Sequence, residues 1–285
     1  MKNVMSIDLG GTNLRIGIVN ENLEILDVRR EPTTKNDKEG LFNQICRMID
    51  SLDYKKYNID RVGISACGLV EHDVVRILPN LGIKDFDLKA MLEKRYGFKV
   101  EIKNDANCTA LAEASFGATK DAIDSYFITI STGIGGCLIY DHKMVDLAFE
   151  IGHTSMLIDG KLVKFENKCS GNGIVKSCKE LGLDIPHAGM MFEMKDTNEI
   201  AHKVYEEWIT LVSLFLANTQ MEFNLDKIVL SGGVMKSSKY FFEDLEKRAN
   251  DIIATFPLKR IKLVLAKFDQ DAGLMGGVSV AFAIQ

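Results

Sequence analysis

The chain has only 4 Pro and 1 Trp in 285 residues, and it contains no long hydrophobic run. About 20 consecutive apolar residues are needed to span a bilayer. The most apolar helical stretch, Trp208 to Ala217, is interrupted by Thr210 and Ser213. The N-terminal MKNVMSIDLGGTN has no apolar stretch long enough for a signal-peptide core before its Asp-Gly-Gly break. The six cysteines, at 46, 67, 108, 137, 169 and 178, form no CxxC pair and no evenly spaced framework. Reduced, mostly buried thiols in a cytoplasmic protein are expected. The five histidines (72, 142, 153, 187, 202) include no HxxxH pair and have no accompanying cysteine pair, so no sequence-local zinc site is expected. The absence of GxxxxGK[ST] removes the P-loop class of nucleotide hydrolases. A formal net charge of −5 gives no general attraction to nucleic acid or to an anionic membrane surface.

What is present is an ordinary globular composition, 46% hydrophobic and 26% charged, in a chain long enough for one large domain or two ordinary ones. Apolar runs at 4–9, 14–19 and 23–28, separated by Gly- and Asn-rich turns, predict an antiparallel meander. Leu41, Ile45, Met48, Ile49 and Leu52 fall at helical spacing within a helix over 37–52. Strands at 61–65 and 74–77, a helix at 88–96 and a strand at 99–103 complete a first α/β unit. The second half opens in the same way: a strand at 126–131, a turn over 132–136 and a returning strand at 137–140. A long amphipathic helix over 198–220, a strand at 227–230, a helix near 241–254, a strand at 262–266 and a terminal helix from Asp271 follow. The long helix around Trp208 serves either as core or as an interface. Each half thus begins with strand, Gly-rich hairpin and strand, which favours two related α/β lobes with a ligand cleft between them.

Three glycine turns and two polar clusters could carry chemistry. In DLGGTN, Gly10 and Gly11 allow close backbone approach to an anion, Thr12 and Asn13 add donors, and Asp8 stands at a strand end where it could hold a metal ion; a plain hairpin is the competing reading. STGIGG at 131–136 repeats that design, and LSGGV at 230–234 leads from a strand into a predicted helix. In KNDAN, Asp105 could take a proton from a hydroxyl while Asn104 orients a neighbouring one, or both could simply cap a helix. EIGH sets Glu150 and His153 three residues apart around a glycine, with a solvated charge and a structural histidine as the alternative.

In this order, DLGGTN, GISACGLVEHD, PNLG, NDAN, STGIGG, EIGH, LSGG and DAGLMGG resemble the ROK family of sugar kinases and sugar-responsive repressors over essentially the whole chain. The PNL, NDAN and EIGH succession is the specific part; DLGGT is shared across a wider superfamily. The resemblance implies two related ribonuclease-H-like lobes of actin type, with ATP and sugar in the cleft between them. It suggests a small lobe of residues 1–112, completed by the C-terminal helix at 271–285, and a larger lobe of 113–270. It implies an ATP:sugar 6-phosphotransferase with Asp105 as general base and Asn80, Asn104, Glu150 and His153 on the other sugar hydroxyls. Gly10, Gly11, Thr12 and Asn13, with Thr132 and Gly133, would meet the β- and γ-phosphates. Gly232 and Gly233 would border the adenosine, and Asp8 would help to hold Mg²⁺ through water. Many relatives are homodimers.

One departure matters. Zinc-containing members carry CxCGxxGCxE after EIGH, whereas the segment here is TSMLIDGKLVKFENKCSG. Counting back from Ser170-Gly171, Glu166 falls where that motif's final Glu stands. A sugar-binding carboxylate is therefore expected to be kept while the zinc loop is lost. The expected acceptor is a glucose-like sugar or β-glucoside, with N-acetylmannosamine as the alternative. A repressor places a helix-turn-helix ahead of the DLGGT-like strand, which here starts at residue 4, and a chaperone-like or filament-forming ATPase lacks the EIGH and PNL constellation.

Overall fold

The predicted meander forms as three antiparallel strands, β1 (Asn3–Leu9), β2 (Asn13–Asn20) and β3 (Ile25–Pro32). The computed structural model describes residues 2–147, 149–268 and 271–284. Leu23, expected to open the third strand, instead lies in the turn at φ 64°. There the Asn20 side chain accepts from the Asn22 and Glu24 N–H groups, and this local side-chain turn delays the strand to Ile25. Helix α1 (Lys38–Asp50) is capped by Asp37, which accepts from Gly40 N–H, and it buries Leu41, Ile45, Met48 and Ile49 as their spacing predicts. β4 (Arg61–Ala66) follows. A small separate sheet then forms from β5 (Leu69–Glu71), β6 (Val74–Leu78) and β7 (Ile83–Phe86), of which only β6 was expected. Helix α2 (Leu88–Tyr96), β8 (Lys99–Asn104) and α3 (Asp105–Phe116) close this stretch.

The following elements are β9 (Ser125–Ile130), β10 (Ile134–Tyr140), β11 (Lys143–Met144), and a detached hairpin of β12 (Ser155–Ile158) and β13 (Lys161–Lys164). The turn predicted over 132–136 is shorter than expected, because Ile134 to Gly136 already pair with β9. Then come α4 (Glu166–Cys169), α5 (Gly171–Glu180), α6 (Ala188–Met194), α7 (Glu199–Phe223), β14 (Lys227–Ser231), α8 (Phe242–Ile253), β15 (Leu263–Leu265) and α9 (Ala272–Ala283). The helix expected after LSGG is a 3-10 helix, Gly233–Tyr240.

The chain divides into two units, one of Met1–Gly117 with Phe268–Gln285 and one of Ala118–Lys267. Their sheets share one topology. The first runs β3-β2-β1-β4-β8 and the second β11-β10-β9-β14-β15. In each, a three-stranded antiparallel meander is extended from its first strand by two parallel strands. The repeat visible in the sequence is thus a repeat of topology, and the α/β fold of ribonuclease-H-like, actin type is present.

In the first unit α9 lies directly on β1 and β4. A Cβ on Gly63 would stand 1.9 Å from the Gly277 carbonyl oxygen, so glycine is required for this approach. Ser6, fully buried, donates to the Leu274 carbonyl at 2.6 Å and ties the helix to the central strand. In the second unit α7 starts at the Asn198 cap, which accepts from the Ile200 and Ala201 N–H groups. Trp208 is 1% exposed, packs edge-on against Phe192 and Phe241, and donates its indole N–H to the Cys169 carbonyl at 3.0 Å. That face of the helix is core. Among the described residues no helix is long and apolar enough to cross a membrane.

Candidate active site

The turn between β1 and β2 is built by three hydrogen bonds, two of them backbone to backbone. Gly10 N–H donates to the Asn13 carbonyl (3.1 Å), Thr33 N–H to the Thr12 carbonyl (3.0 Å), and the Thr33 hydroxyl to the Gly10 carbonyl (2.8 Å). The Gly10 N–H is therefore spent inside the turn, and the amides of Gly11 and Thr12 are the ones a phosphate can use. Gly11 leaves the space taken by Asn80, whose Nδ2 lies 3.1 Å from where a Gly11 Cβ would be. Asn80 sits in a 3-10 turn, Pro79–Leu81, closed by Gly82 at φ 64°.

Asp8, on β1, is partly covered and faces the start of α9. A Cβ on Gly273 would stand 2.3 Å from Asp8 Oδ1, so a glycine leaves room for this carboxylate. Burial raises the Asp8 carboxyl to about 6; Asp105 and Asp271 add to the rise, while Arg15 and Arg30 oppose it. Arg15 is itself held by Asp271 through a 2.6 Å ion pair. Arg30 Nε reaches Asn13 Oδ1 at 3.4 Å.

Asp105 is the first residue of α3. The cap is Asn104: its Oδ1 accepts from Ala106 N–H at 2.9 Å and its Nδ2 donates to the Gly68 carbonyl at 2.8 Å. The structural and functional readings of KNDAN are therefore compatible, because Asn104 does the capping. Asp105 Oδ1 accepts from the same Ala106 N–H (2.9 Å), and its carboxyl keeps an open face. The surrounding protein raises its pKa above the ordinary carboxylate value; the Ala106 N–H, its own N–H and the Asn104 side chain pull the other way. Cys67, missed at the sequence level, feels both Asp105 and Asp8, and burial first and then those carboxylates push its thiol up to about 11. It is a neutral thiol there.

The second unit brings Glu150, His153 and Glu166 together. His153 Nε2 lies 3.7 Å from Glu166 Oε1 and 3.9 Å from Glu150 Oε2, with all three side chains partly or largely open. Glu150 and His153 bracket a 3-10 turn, Ile151–His153, and Glu166 opens α4. Phe165, just before Glu166, is 1% exposed and stacks on Phe215 at 4.6 Å, anchoring this segment in the core. Gly133 stands beside Glu166, with Oε2 only 3.2 Å from its notional Cβ. Thr132 and Gly133 form a tight turn in which Ser131 N–H donates to the Gly133 carbonyl (2.8 Å). Gly171 N–H donates to the Ser131 carbonyl (2.7 Å), which sets the start of α5 against that turn. Gly232, at φ 96°, passes within 2.4 Å of the Ile130 carbonyl measured from its notional Cβ, a position closed to other residues; Gly233 beside it is open.

The Asp8 cluster of the first unit has the chemistry to hold the phosphates of a magnesium–nucleotide. Asp8 is a hard oxygen donor whose ionised form is penalised by burial and by two neighbouring carboxylates, a penalty a divalent cation would relieve. The space opposite the Gly11 and Gly273 α-carbons is taken by side chains of this same cluster. Among the described residues no group of three or more His, Cys, Asp or Glu side chains could hold a metal by itself, so Asp8 would need water and phosphate oxygens as co-ligands.

Comparison with known proteins shows what the chain as a whole is similar to. The ROK family model matches residues 4–283. A glucokinase from Halalkalibacterium halodurans is 28% identical over 312 residues, covering 96% of this chain and 93% of its own. An N-acetyl-D-glucosamine kinase from Vibrio parahaemolyticus is 28% identical, covering 94% and 96%. A solved ROK hexokinase from Thermus thermophilus shares the fold, with a TM-score of 0.86, 23% identity and 98% of each chain covered.

Proposed function

The chain belongs to the ROK family, and on that premise we propose that it is an ATP-dependent hexose kinase that transfers the γ-phosphoryl group to the 6-hydroxyl of a glucose-like sugar or β-glucoside. The coarser statement, a sugar kinase, is supported by relatives named for glucose and for N-acetyl-D-glucosamine. The observation that carries the proposal is Asp105: a carboxylate at a helix start, with a raised pKa, one oxygen tied to Ala106 N–H and an open face. A general base works best when its pKa approaches the working pH, and the surrounding protein moves Asp105 in that direction.

Phosphoryl transfer to a hydroxyl chiefly requires positioning, charge neutralisation and a modest base. Asp105 accepts the proton of the attacking hydroxyl. Asn104, fixed by Gly68 and Ala106, holds Asp105 at its helix start and can offer its second amide hydrogen to a sugar oxygen. Asn80 serves a further hydroxyl, and Glu150, His153 and Glu166 serve the rest. The Gly11 and Thr12 amides, with Asn13, hold phosphate oxygens, as do Thr132 and Gly133, while Gly232 and Gly233 leave flat backbone for the nucleoside. Asp8 would hold Mg²⁺, which when bound neutralises phosphate charge. Two chemical features favour a sugar over a simpler alcohol: acceptor-only carboxylates and donor amides and imidazole occur together, and both are needed for a ring of hydroxyls.

The test is ADP release over glucose, N-acetylmannosamine, N-acetylglucosamine, mannose, fructose, allose and cellobiose. Turnover of glucose or a β-glucoside supports the proposal; turnover of an N-acetylhexosamine alone replaces the acceptor, and no turnover with any removes the kinase reading.

A further inference from the structure

The imidazole of His153 is gripped from the side opposite its carboxylates. Lys164 Nζ lies 2.8 Å from His153 Nδ1, while Nε2 faces Glu166 and Glu150. An ammonium is a donor only, so a contact of this length requires a bare Nδ1, and the ring proton then sits on Nε2.

The backbone sets this grip. β12 and β13 pair so that Lys164 stands opposite Ser155, two residues after His153, and one step further Phe165 N–H donates to the Thr154 carbonyl at 2.8 Å. Thr154 is fixed in turn, since its hydroxyl donates to the Ile151 carbonyl at 2.7 Å. Lys164, Phe165 and Glu166 are consecutive: the first meets Nδ1, the second is buried in the core, and the third faces Nε2. One short segment thus holds the ring at Nδ1 and sets a carboxylate before Nε2, about a buried aromatic pin.

The Nε2-to-carboxylate separations of 3.7 and 3.9 Å are too long for direct hydrogen bonds. They suit one hydroxyl oxygen that accepts from Nε2–H and donates to a carboxylate. We propose that Lys164 is a positioning residue for the sugar site, holding His153 in the neutral Nε2–H tautomer and in one ring orientation so that it donates to an acceptor hydroxyl shared with Glu166 or Glu150. The inference rests on the sugar-kinase reading above. It adds that acceptor affinity depends on a lysine that itself contacts no sugar, and that the β12–β13 hairpin supplies it.

Lys164→Met removes the donor and keeps the stem, and Lys164→Arg keeps a donor. In ¹⁵N-labelled protein, with His153→Gln used for assignment, long-range ¹H–¹⁵N correlation reads the His153 tautomer without substrate. The expected wild-type spectrum shows a hydrogen-bond-accepting Nδ1 and a protonated Nε2. In Lys164→Met the Nδ1 resonance should shift and the second tautomer become populated. The KM for the best-turned-over sugar should rise several-fold, because apparent affinity falls with the fraction of protein whose ring donates from Nε2 in the right orientation. The KM for ATP should stay within about twofold, and Lys164→Arg should restore most of the sugar KM. A proton on Nδ1 in the wild type, an unchanged ring spectrum in Lys164→Met, or an unchanged sugar KM overturns the proposal. Should Lys164→Met not fold, the wild-type spectrum and the Lys164→Arg kinetics decide it. Failure of the kinase reading is distinct, since it shows as a wild-type protein that phosphorylates no sugar, whatever its histidine spectrum.

Discussion

Gly11 and Asn80 occupy one another's space: a Cβ on Gly11 would lie 2.9 Å from the Cβ of Asn80. In the proposed reaction one residue meets phosphate and the other sugar, so this contact would link its two halves within the first unit. Gly11→Ala should push Asn80 aside and raise the KM values for both sugar and ATP. The expected loss is roughly tenfold or more in kcat/KM, where tenfold corresponds to about 1.4 kcal/mol. Steady-state kinetics with each substrate varied checks this. A change confined to ATP would detach Asn80 from the acceptor.

Asp105→Asn should lower kcat by about 10²–10⁴, the usual scale of general-base loss. The fold should be kept, because Asn104 and not Asp105 caps α3. Sugar affinity, measured by calorimetry, should change little. In the wild type, kcat should fall on the acid side as Asp105 becomes protonated. Because its pKa is raised, that fall should begin at higher pH than for an ordinary carboxylate. A fully active Asn variant would remove Asp105 from the chemistry.

Asp8 gives a prediction about stability. Its carboxyl titrates near 6 in the folded chain against an ordinary value of 3.8, so between these pH values the folded state binds more protons than the unfolded one. Stability contributed by this site is therefore present below about pH 3.8 and is lost as pH rises towards 6. Asp8→Asn removes the penalty. Without nucleotide or metal at pH 7, the variant should be more stable than the wild type by about 1–3 kcal/mol, and the gain should vanish near pH 4. Its turnover should be abolished or severely reduced. Urea unfolding at the two pH values, with Mg²⁺ absent, checks the sign.

The regular elements were legible where burial imposes a period. The spacing of Leu41, Ile45, Met48 and Ile49 gave α1, and the repeated strand–glycine hairpin–strand pattern gave two sheets that share one strand order. The hairpin of β12 and β13 was not legible, because Leu157 and Leu162, opposite each other across the strands, are both largely exposed. Apolar residues that face solvent do not mark a core face. In the candidate site, Asp8, Asp105 and the glycine turns could be named because each stands at a strand end or turn with a recognisable local chemistry. The meeting of Glu166 with His153 came only through family resemblance, since they lie 13 positions apart and a hairpin closes the gap. Lys164 and Thr33 escaped notice because their partners are set by strand register and turn geometry, which composition does not encode.

The seating of α9 can be tested apart from the chemistry. Gly63 on β4 meets Gly277 and Ala281 on that helix, and a Cβ there would stand 1.9 Å from the Gly277 carbonyl oxygen and 2.6 Å from the Ala281 nitrogen. Both neighbours are backbone, so neither can rotate away. Gly63→Ala must lift α9 from the sheet at a cost of about 1–3 kcal/mol or more. For a chain of this size that lowers the melting temperature by roughly 2–4 °C per kcal/mol. The start of the same helix carries Gly273, which packs against Asp8, and is preceded by Asp271, which pairs with Arg15. A lifted helix should therefore also disturb the Asp8 environment, so that activity measured well below the melting temperature falls too. Calorimetry together with kinetics at 25 °C separates the two effects. A variant with unchanged melting temperature would mean that α9 can shift along the sheet without loss, and that its glycines do not fix its seat.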